Sequence, residues 1–499
     1  MTSFKVEFVY NAAMQNTTRW DLFGLVGLAV FAGVLYWSSI QTPSDTSNLK
    51  QDILDQGTEV RLGHEWMGLY FQEKRVGYFH IHKTAAKPGV DYRVVGKIQQ
   101  LGLLNKKLSI EIKLSASLDE SMTLTRFQFE LDAGPASITG RGVVVGQQLK
   151  LAITTAGVTR QDSLKLKSTP VLRETLGPRL AKLALTPGAV HTMSIFDPIT
   201  QRNQRVTITV EGYEDVVVVD RLVKATRIRQ SLNGMTLHAW INQRGEMLRQ
   251  ELGFGMVAVR ETKLQATAPI DDVSFIEQTM INAPGMPKKA DELNTLTLRL
   301  GGTELAGFNL DDRRQVFDDG LLKVTKEQSS TGLQLPARPE RAADLESTLL
   351  IQSDSDEIRE QATDAVGPST DSIGAAKALM EWVSNQVEDA PVIGVPSALE
   401  TLKTRRGDCN EHTTLFVAMA RSIGIPTRFV TGIAFLNGRF GYHAWAEVLT
   451  KEGWLSVDPT WGQMPVDVGH IAFVRGGLSR QASLVQLMGQ LTLSVVEYR

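Results

Sequence analysis

The stretch that decides the fold of the C-terminal part is Arg405-Arg-Gly-Asp-Cys-Asn-Glu-His412, followed by TTLFVAMARSIGIP over residues 413–426. Small and apolar side chains recur in it at spacings of three and four residues, as on one face of a helix. Asp408 is a preferred N-cap residue, and Glu411 stands three positions later, which is a capping-box pattern. A glycine and a proline end the stretch. The pattern predicts a helix of about four turns with Cys409 in its first turn.

The position of Cys409 has a chemical meaning. Free backbone N–H groups and the helix dipole stabilise negative charge at a helix N-terminus. Such a site favours the thiolate, which is the nucleophilic form of cysteine. Cys409 is the only cysteine of the 499 residues, so neither an internal disulfide nor a zinc site of several cysteines can form. Taken alone, a single cysteine is more often a small buried hydrophobe than a nucleophile.

Two further polar residues follow the helix on predicted strands. These strands are Arg428–Leu436, Tyr442–Leu449 and Trp454–Val457. His443 lies on the second strand, and Asp458 ends the third. Neighbouring antiparallel strands can bring the two side chains together. An imidazole between a thiol and a carboxylate is the arrangement that nucleophilic catalysis requires.

These motifs resemble the transglutaminase-like superfamily, and most of all its bacterial, envelope-associated members. The motifs are Gly-Asp-Cys409-Asn-Glu-His, Gly-Ile-Pro-Thr-Arg428, Gly441-Tyr-His443-Ala-Trp-Ala-Glu447 and Val457-Asp458-Pro-Thr460. The resemblance covers residues 346–480 and implies a papain-like α+β core. It also implies Cys409 as nucleophile, His443 as base and Asp458 as the orienting acid. Family oxyanion holes often add an upstream side-chain donor, for which the candidates are Trp382, Asn385 and Gln386.

Other side chains have simpler interpretations. His412 is expected behind the site or on the surface, and Glu411 is expected to be a cap. Three tryptophans are expected in the core, although the last could line the site: Trp445, Trp454 and Trp461. His80 and His82 share a strand face and could bind a metal, but a solvated face is favoured because no third ligand is evident.

The N-terminus carries the apolar run LFGLVGLAVFAGVLYW, residues 22–37, which Ser38 to Ile40 can extend. At this length, residues 22–40 are predicted to form a transmembrane helix behind a tail of residues 1–21. The alternative is a cleaved signal peptide, but the run lacks an Ala-x-Ala-like cleavage site. Lys5 and Arg19 precede the run and only Lys50 follows closely, which favours a cytoplasmic N-terminus and a body on the periplasmic side.

The rest of the chain divides by pattern. Residues 41–58 are a polar linker, and residues 59–268 alternate as strands, with Asn233-Gly234 as a hairpin turn. Residues 269–345 are a connecting region, residues 346–480 form the transglutaminase-like domain and residues 481–499 form a tail. The fold class predicted for the whole chain is α+β, with one transmembrane helix, an antiparallel β-rich domain and the papain-like domain.

The composition is ordinary for a globular protein, and a net charge of -2 gives no case for a nucleic-acid partner. The predicted function is thiol-dependent acyl transfer at an amide of a protein or peptide in the cell envelope, without a metal or organic cofactor. Transamidation, deamidation and hydrolysis share the same triad and stay open. The alternative is a catalytically idle fold that acts as a binding or scaffold module. The sequence does not decide the oligomeric state.

Overall fold

A computed structural model describes residues 62–71, 73–103, 106–132, 137–155, 158–166, 185–197, 202–232, 235–253, 255–271, 280–303, 305, 307–328, 331–335, 343–348, 350–369, 371–390, 397–476, 484, 487 and 489–499. The described residues fall into two compact units, one within residues 62–271 and the other within residues 280–499.

The first unit is built on one antiparallel sheet. Its strands are β1 (Gly63–Phe71), β2 (Lys74–Ala85), β3 (Val90–Leu103), β4 (Lys106–Leu118), β5 (Leu124–Asp132), β6 (Ser137–Val145), β7 (Gln148–Thr155), β8 (Val158–Lys165), β9 (Val190–Asp197), β10 (Arg202–Val218), β11 (Arg221–Leu232), β12 (Met235–Ile241), β13 (Met247–Gly253) and β14 (Met256–Glu261). A short helix, α1 (Lys263–Ala266), follows. The predicted antiparallel sheet is confirmed, and β11 pairs with β12 as expected. The turn residues Asn233 and Gly234 lie outside the described residues.

The sheet order is β8-β7-β6-β5-β4-β3-β2-β1-β14-β13-β12-β11-β10-β9. Every neighbouring pair is therefore consecutive in sequence except β1 with β14. At this seam Trp66 lies opposite Glu261. The Arg75 guanidinium donates two hydrogen bonds to the Glu261 carboxylate, at 2.9 and 2.8 Å. The seam is thus fixed by a half-buried ion pair as well as by the backbone ladder.

Alternation of side chains explains why these segments form a sheet with one apolar face. In β5, Phe127, Phe129 and Leu131 are buried, while the residues between them are more exposed. Because successive side chains of a strand point to opposite faces, this period of two places one face in the core and the other toward solvent.

The second unit contains the longer helices and three smaller sheets. The helices are α2 (Asp356–Val366), α3 (Ser372–Gln386), α4 (Ala398–Thr404) and α5 (Cys409–Ser422). The strands are β15 (Ile281–Asn282), β16 (Thr295–Gly301), β17 (Gln315–Asp318), β18 (Leu321–Thr325), β19 (Glu388–Asp389), β20 (Arg406–Gly407), β21 (Thr427–Leu436), β22 (Arg439–Thr450), β23 (Gly453–Val457), β24 (His470–Arg475) and β25 (Thr492–Tyr498).

The sheet beside α5 runs β15-β22-β21-β24. β23 also pairs with β22, on the edge opposite β21. The three strands predicted after the helix are confirmed as β21, β22 and β23. Asn437 and Gly438 both take positive φ values, 52° and 87°, at the turn between β21 and β22. Positive φ at both turn positions is typical of the two-residue hairpins that Asn-Gly favours.

Two side chains from the 269–345 segment bind the backbone of β24 and of the turn before it. A second sheet runs β17-β18-β16-β25. From its β17, the Gln315 side chain donates to the Ala472 carbonyl at 3.0 Å and accepts from the Ala472 N–H at 2.7 Å. The guanidinium of the buried Arg314 donates to the carbonyls of Asp467 and His470. The start of β24 is thereby tied to an element more than 150 residues earlier in the chain.

Two parts of the predicted fold class require correction. The described structure is mostly β, with 53% strand and 16% helix, rather than α+β, because the 14-stranded sheet outweighs the helices.

The predicted transmembrane helix of residues 22–40 lies outside the described residues, and no described helix is long and apolar enough to cross a membrane. The longest of them, α3, has 15 residues, against the ~20 that a bilayer requires. The predictions of a single-pass membrane anchor and a periplasmic body are therefore not upheld.

Gly432 provides a test of how closely β21 and β24 pack. It lies opposite His443 on β22, and a Cβ placed on it would stand 1.9 Å from the Ile471 carbonyl oxygen. Gly432→Ala must push β24 away, and overpacking of this kind costs about 1–3 kcal/mol. We expect a lower midpoint for the unfolding of the second unit by calorimetry. Gly212→Ala, where a Cβ meets nothing within 4 Å, is the control, and equal losses in the two variants would contradict this account.

Candidate active site

The nucleophile candidate Cys409 is the first residue of α5 and is fully buried. The Asp408 carboxylate caps the helix by accepting from the Asn410 N–H at 2.8 Å, while the Glu411 carboxyl accepts from the Asp408 N–H at 3.0 Å. The predicted capping box and the predicted helix, with Cys409 in its first turn, are confirmed. Glu411 is a cap, as expected.

Burial decides the ionisation of the two capping acids. Loss of hydration raises the pKa of Asp408 to about 6, although hydrogen bonds from Glu411 and Asn410 oppose the rise. Burial, together with the charge of Asp408, holds the pKa of Glu411 well above its usual range. Burial thus favours the neutral form of Glu411, and that form adds no negative charge that would oppose a thiolate at Cys409.

The second half of the site is a buried histidine–carboxylate pair. His443 Nε2 lies 2.8 Å from Asp458 Oδ2, and both side chains are buried. The other carboxylate oxygen, Oδ1, accepts from the backbone N–H groups of Thr460 at 2.8 Å and Trp461 at 3.2 Å. Strand β22 thus supplies the imidazole, and the turn after β23 holds the carboxylate in one orientation.

Two hydrogen bonds between α5 and β22 flank the Cys409 and His443 positions. The Tyr442 hydroxyl donates to Asn410 Oδ1 at 3.1 Å, and the Thr413 hydroxyl donates to the Ala444 carbonyl at 3.1 Å. The residues that bond are immediate neighbours of Cys409 and His443, or lie one helical turn further on. Within the described part of the chain, the buried Nδ1 of His443 has no hydrogen-bond partner. This nitrogen can accept a proton because Nε2 is already committed to Asp458.

The structure adds one residue that the sequence analysis missed, His470 at the start of β24. Its Nε2 lies 3.3 Å from Asp458 Oδ2, the same oxygen that His443 contacts. Its Nδ1 lies 3.1 Å from Asp467 Oδ1. Both ring nitrogens face carboxylate oxygens, so the ring is suited to the doubly protonated cation.

The charges of this cluster support one another. Burial alone would lower the pKa of His470, but Asp467 and Asp458 outweigh it and raise the pKa above its usual value. Burial also opposes ionisation of Asp458, yet the charges and hydrogen bonds of His443 and His470 hold its pKa well below the usual range. Asp458 is therefore an anion throughout the physiological pH range.

The sequence carried only a faint signal for His470. A histidine that opens the apolar run His470-Ile-Ala-Phe-Val474 is unusual, and Asp467 stands three residues before it. However, the contact with Asp458 depends on β24 pairing with β21 rather than with β23, which lies nearer in sequence. Such an order of strands does not follow from local pattern.

Aromatic rings enclose the two histidines. Trp461 stacks on His443, with ring centroids 4.3 Å apart and planes 19° apart, and it meets His470 edge-on at 5.0 Å. Of the two positions expected for Trp461, in the core or lining the site, the structure shows the second. Trp445 is in the core as predicted. Trp454 is only half-buried, and the Arg428 guanidinium lies 4.2 Å from its ring centroid.

His412 lies behind the site, one of the two positions expected for it. It is buried, with Nδ1 2.8 Å from the Asp408 carbonyl oxygen and Nε2 3.2 Å from that of Val387. Burial lowers its pKa, and the neutral ring has one N–H, so it donates to one of these two carbonyls at a time while lying between the start of α5 and the end of α3. It is a structural link between the two helices.

The three candidates for an upstream oxyanion donor lie on α3. Trp382 faces the Arg405 guanidinium at 4.3 Å. The Asn385 amide donates to the Glu381 carbonyl at 2.6 Å, and Gln386 is exposed. The first two side chains are thus engaged with neighbours other than the thiol.

Two groups of side chains carry several atoms that could ligate a metal ion. Among the described residues, one trio offers ligand atoms that all lie within 4.8 Å of one another, namely His443, Asp458 and His470. On the first unit, His64 joins His80 and His82. Its Nδ1 is 2.8 Å from His80 Nε2, and its ring stacks on His82 at 3.9 Å. The ring nitrogens of these three histidines do not all lie within 4.8 Å of one another.

A family model matches the part of the chain that carries Cys409, His443 and Asp458. Residues 359–459 match the model of the transglutaminase-like superfamily. No curated protein matches the chain. Among solved structures, a candidate cysteine protease of Cytophaga hutchinsonii is similar, with 16% identity over 42% of this chain and 84% of that one, at a TM-score of 0.26.

Two other solved structures are also similar to the chain. A β-barrel-like protein of Brucella abortus, from the domain family DUF1849, has 10% identity over 40% of this chain and 96% of that one, at a TM-score of 0.32. A candidate protease of Parabacteroides distasonis has 9% identity over 67% of this chain and 68% of that one, at a TM-score of 0.17. The resemblance to the transglutaminase-like superfamily is confirmed by the family model, which shows a transglutaminase-like domain over residues 359–459. The closer resemblance to envelope-associated members stays a prediction.

The charged state of His470 predicts a pH-dependent contribution to stability. Because its pKa is raised on folding, this contribution is full below the unfolded value of ~6.5 and is lost as the pH rises through the folded value. His470→Gln should cost about 3–5 kcal/mol of unfolding free energy at pH 6, since it leaves buried carboxylates without their partner. The deficit should shrink at alkaline pH.

Guanidinium unfolding at pH 6, 7.5 and 9 measures this difference. His82→Gln, the same exchange at a half-buried position of the first unit, should leave the pH profile unchanged. A His470→Gln deficit that stays constant over this range would show that the ring is not charged in the folded protein.

Proposed function

We propose that the transglutaminase-like domain catalyses thiol-dependent acyl transfer at an amide of a protein or peptide, with Cys409, His443 and Asp458 as its triad. The observation that supports this most is the 2.8 Å contact between His443 Nε2 and Asp458, which leaves the buried Nδ1 unbonded among the described residues. Asn410 accepts a hydrogen bond from Tyr442, and Thr413 donates one to the Ala444 carbonyl. Together they hold the first turn of α5, with its thiol, against the strand that carries this nitrogen.

The chemistry follows from these positions. His443 takes the proton of the Cys409 thiol through Nδ1, and Asp458 stabilises the resulting imidazolium. The thiolate sulfur attacks the carbonyl carbon of the amide, and the N–H groups at the start of α5 stabilise the negative oxygen that forms. The C–N bond then breaks as the imidazolium gives its proton to the leaving amine. A water or a second amine, deprotonated by His443, attacks the thioester and releases the thiol.

Two neighbouring aromatic residues support this chemistry at His443 and Cys409. Trp461 stacks on the His443 ring, and an aromatic face attracts a cation. Tyr442 stays protonated because burial, and the charges of Cys409 and Asp408, raise its pKa well above the usual value. Its hydroxyl therefore remains a donor to Asn410 at every working pH. Transamidation and hydrolysis both pass through this thioester, and they differ only in the acceptor that reaches it.

Alkylation of the thiol separates an active triad from an idle fold without knowledge of the substrate. Cys409 is the only cysteine, so iodoacetamide labelling reports on it alone. A helix N-terminus and a cationic imidazole lower a thiol pKa from ~8.5 into the range of about 3.5–7.5. We expect labelling of the folded protein at about pH 6, inside that range, and a curve displaced to higher pH in His443→Ala.

Mass spectrometry of the labelled protein gives the measurement, with Cys409→Ala as the blank. Circular dichroism confirms that each variant is folded. Because Cys409 is fully buried, labelling also tests whether the thiol can be reached. Curves for wild type and His443→Ala that coincide near the free-thiol pKa would favour the idle fold, as would labelling only after denaturation.

Asp458→Asn tests the orienting role of the carboxylate. Loss of the anion weakens the imidazolium and frees the ring, and general acid–base catalysis of this kind is worth about 10²–10⁴-fold in rate. We expect a loss of this size in the release of amine or ammonia from a denatured, glutamine-rich protein such as casein. Asp467→Asn, the same exchange at a carboxylate that contacts His470 rather than His443, should lose much less. Equal turnover in Asp458→Asn and wild type would remove Asp458 from the mechanism.

A further inference from the structure

The outward face of the first unit contains a polar concavity that the thiol chemistry does not use. It has a volume of about 940 Å³ and lies across strands β2 to β8. Two rows of side chains, paired strand to strand, form its floor. The first row contains Arg93, Ser115, Gln128 and Arg141. The second contains Asp91, Ser117, Arg126, Val143 and Lys150.

The charges in this concavity are unbalanced. Its lining includes the four cations Arg93, Arg126, Arg141 and Lys150, but only one acid, Asp91. None of the four cations forms an ion pair with a described residue. The imbalance is local, because the whole chain has a net charge of -2.

The lone acid does not neutralise the arginines directly. The Ser117 hydroxyl donates to Asp91 Oδ1 at 2.6 Å and accepts from Arg126 Nε at 2.9 Å. Asp91 is thus joined to Arg126 through a serine, and it orients that guanidinium without covering it. Arg93, Arg141 and Lys150 are exposed.

The neighbouring rows of the same face show what an ordinary solvated surface looks like in this sheet. Lys97 pairs with Glu111 at 3.2 Å, and Lys113 pairs with Glu111 at 3.4 Å and with Glu130 at 3.0 Å. Opposite charges directly across strands stabilise a sheet, whereas unpaired like charges do not. Cations alternate with acids in this part of the face, and the concavity departs from that rule.

We propose that this concavity binds an acidic peptide segment in an extended conformation. Guanidinium groups bind carboxylates through two parallel hydrogen bonds. Arg93 and Arg141 are three strands apart in one row, which is about 14 Å at ~4.8 Å per strand. An extended peptide covers that distance in about four residues at ~3.3 Å each, so acids four positions apart can reach both arginines.

The remaining lining favours a peptide over a bare inorganic anion. Val143 is 52% exposed between Arg126 and Lys150, and it offers an apolar contact to an aliphatic side chain. Gln128 and Ser115, between the two arginines, offer polar groups to a peptide backbone. A long nucleic acid is disfavoured because the chain as a whole is negative.

Fluorescence anisotropy of a labelled hexaglutamate with the full-length protein at low salt tests the proposal. We expect saturable binding that weakens as salt is raised, since exposed charge pairs are screened. Arg93→Gln/Arg141→Gln should weaken binding about tenfold or more. Lys97→Gln/Lys113→Gln changes the net charge by the same amount on the same face but removes cations that are already paired, and it should change binding less than twofold.

Three results would overturn the proposal. One is hexaglutamate binding no tighter than hexaglutamine. Another is an equal loss in the two double variants, which would assign binding to net charge alone. The third is tighter binding of inorganic phosphate or single-stranded DNA than of hexaglutamate, which would assign the concavity to another ligand. Melting curves of both variants exclude misfolding, and Arg141→Gln alone provides a milder change if the double variant unfolds.

Discussion

The buried carboxylate of Asp458 is the charge around which the second unit is arranged. One of its oxygens faces two imidazoles, and the other accepts hydrogen bonds from two backbone N–H groups. Protein groups thus replace the water molecules that each oxygen loses on burial. An uncompensated buried anion would cost several kcal/mol. The position of β22, β23 and β24 around this one group therefore follows from electrostatics as much as from packing.

The support for that arrangement comes from far away in the sequence. Arg314 and Gln315 bind the backbone of β24 and the turn before it, and so fix the strand that carries His470. They belong to the segment described from sequence only as connecting. The strands of that segment, β16 to β18, share a sheet with β25 near the end of the chain. The candidate site thus rests on residues outside the stretch that matches the family model, residues 359–459.

Local sequence pattern was sufficient to predict an element wherever the residues that determine it lie close together in the chain. The α5 helix, its capping box and the strands around Asn437-Gly438 were predictable because spacing, cap and turn residues lie within a few positions of each other. His470 was not, because its role depends on which strand lies beside β21. The apolar run at residues 22–40 is a different case. Hydropathy and length predicted a membrane helix there, but the run lies outside the described residues, and no described helix is long and apolar enough to cross a membrane.

The order of the 14-stranded sheet has a consequence for the rate at which the first unit folds. All its strand pairs but one join neighbours in sequence, and hairpins of that kind form in about 1–10 μs. The seam between β1 and β14 instead joins segments separated by nearly the whole unit. The chain entropy of closing so long a loop must be lost before the seam contributes any free energy. Two ribbons of hairpins should therefore form early, and their union along Trp66 and Glu261 should limit the rate.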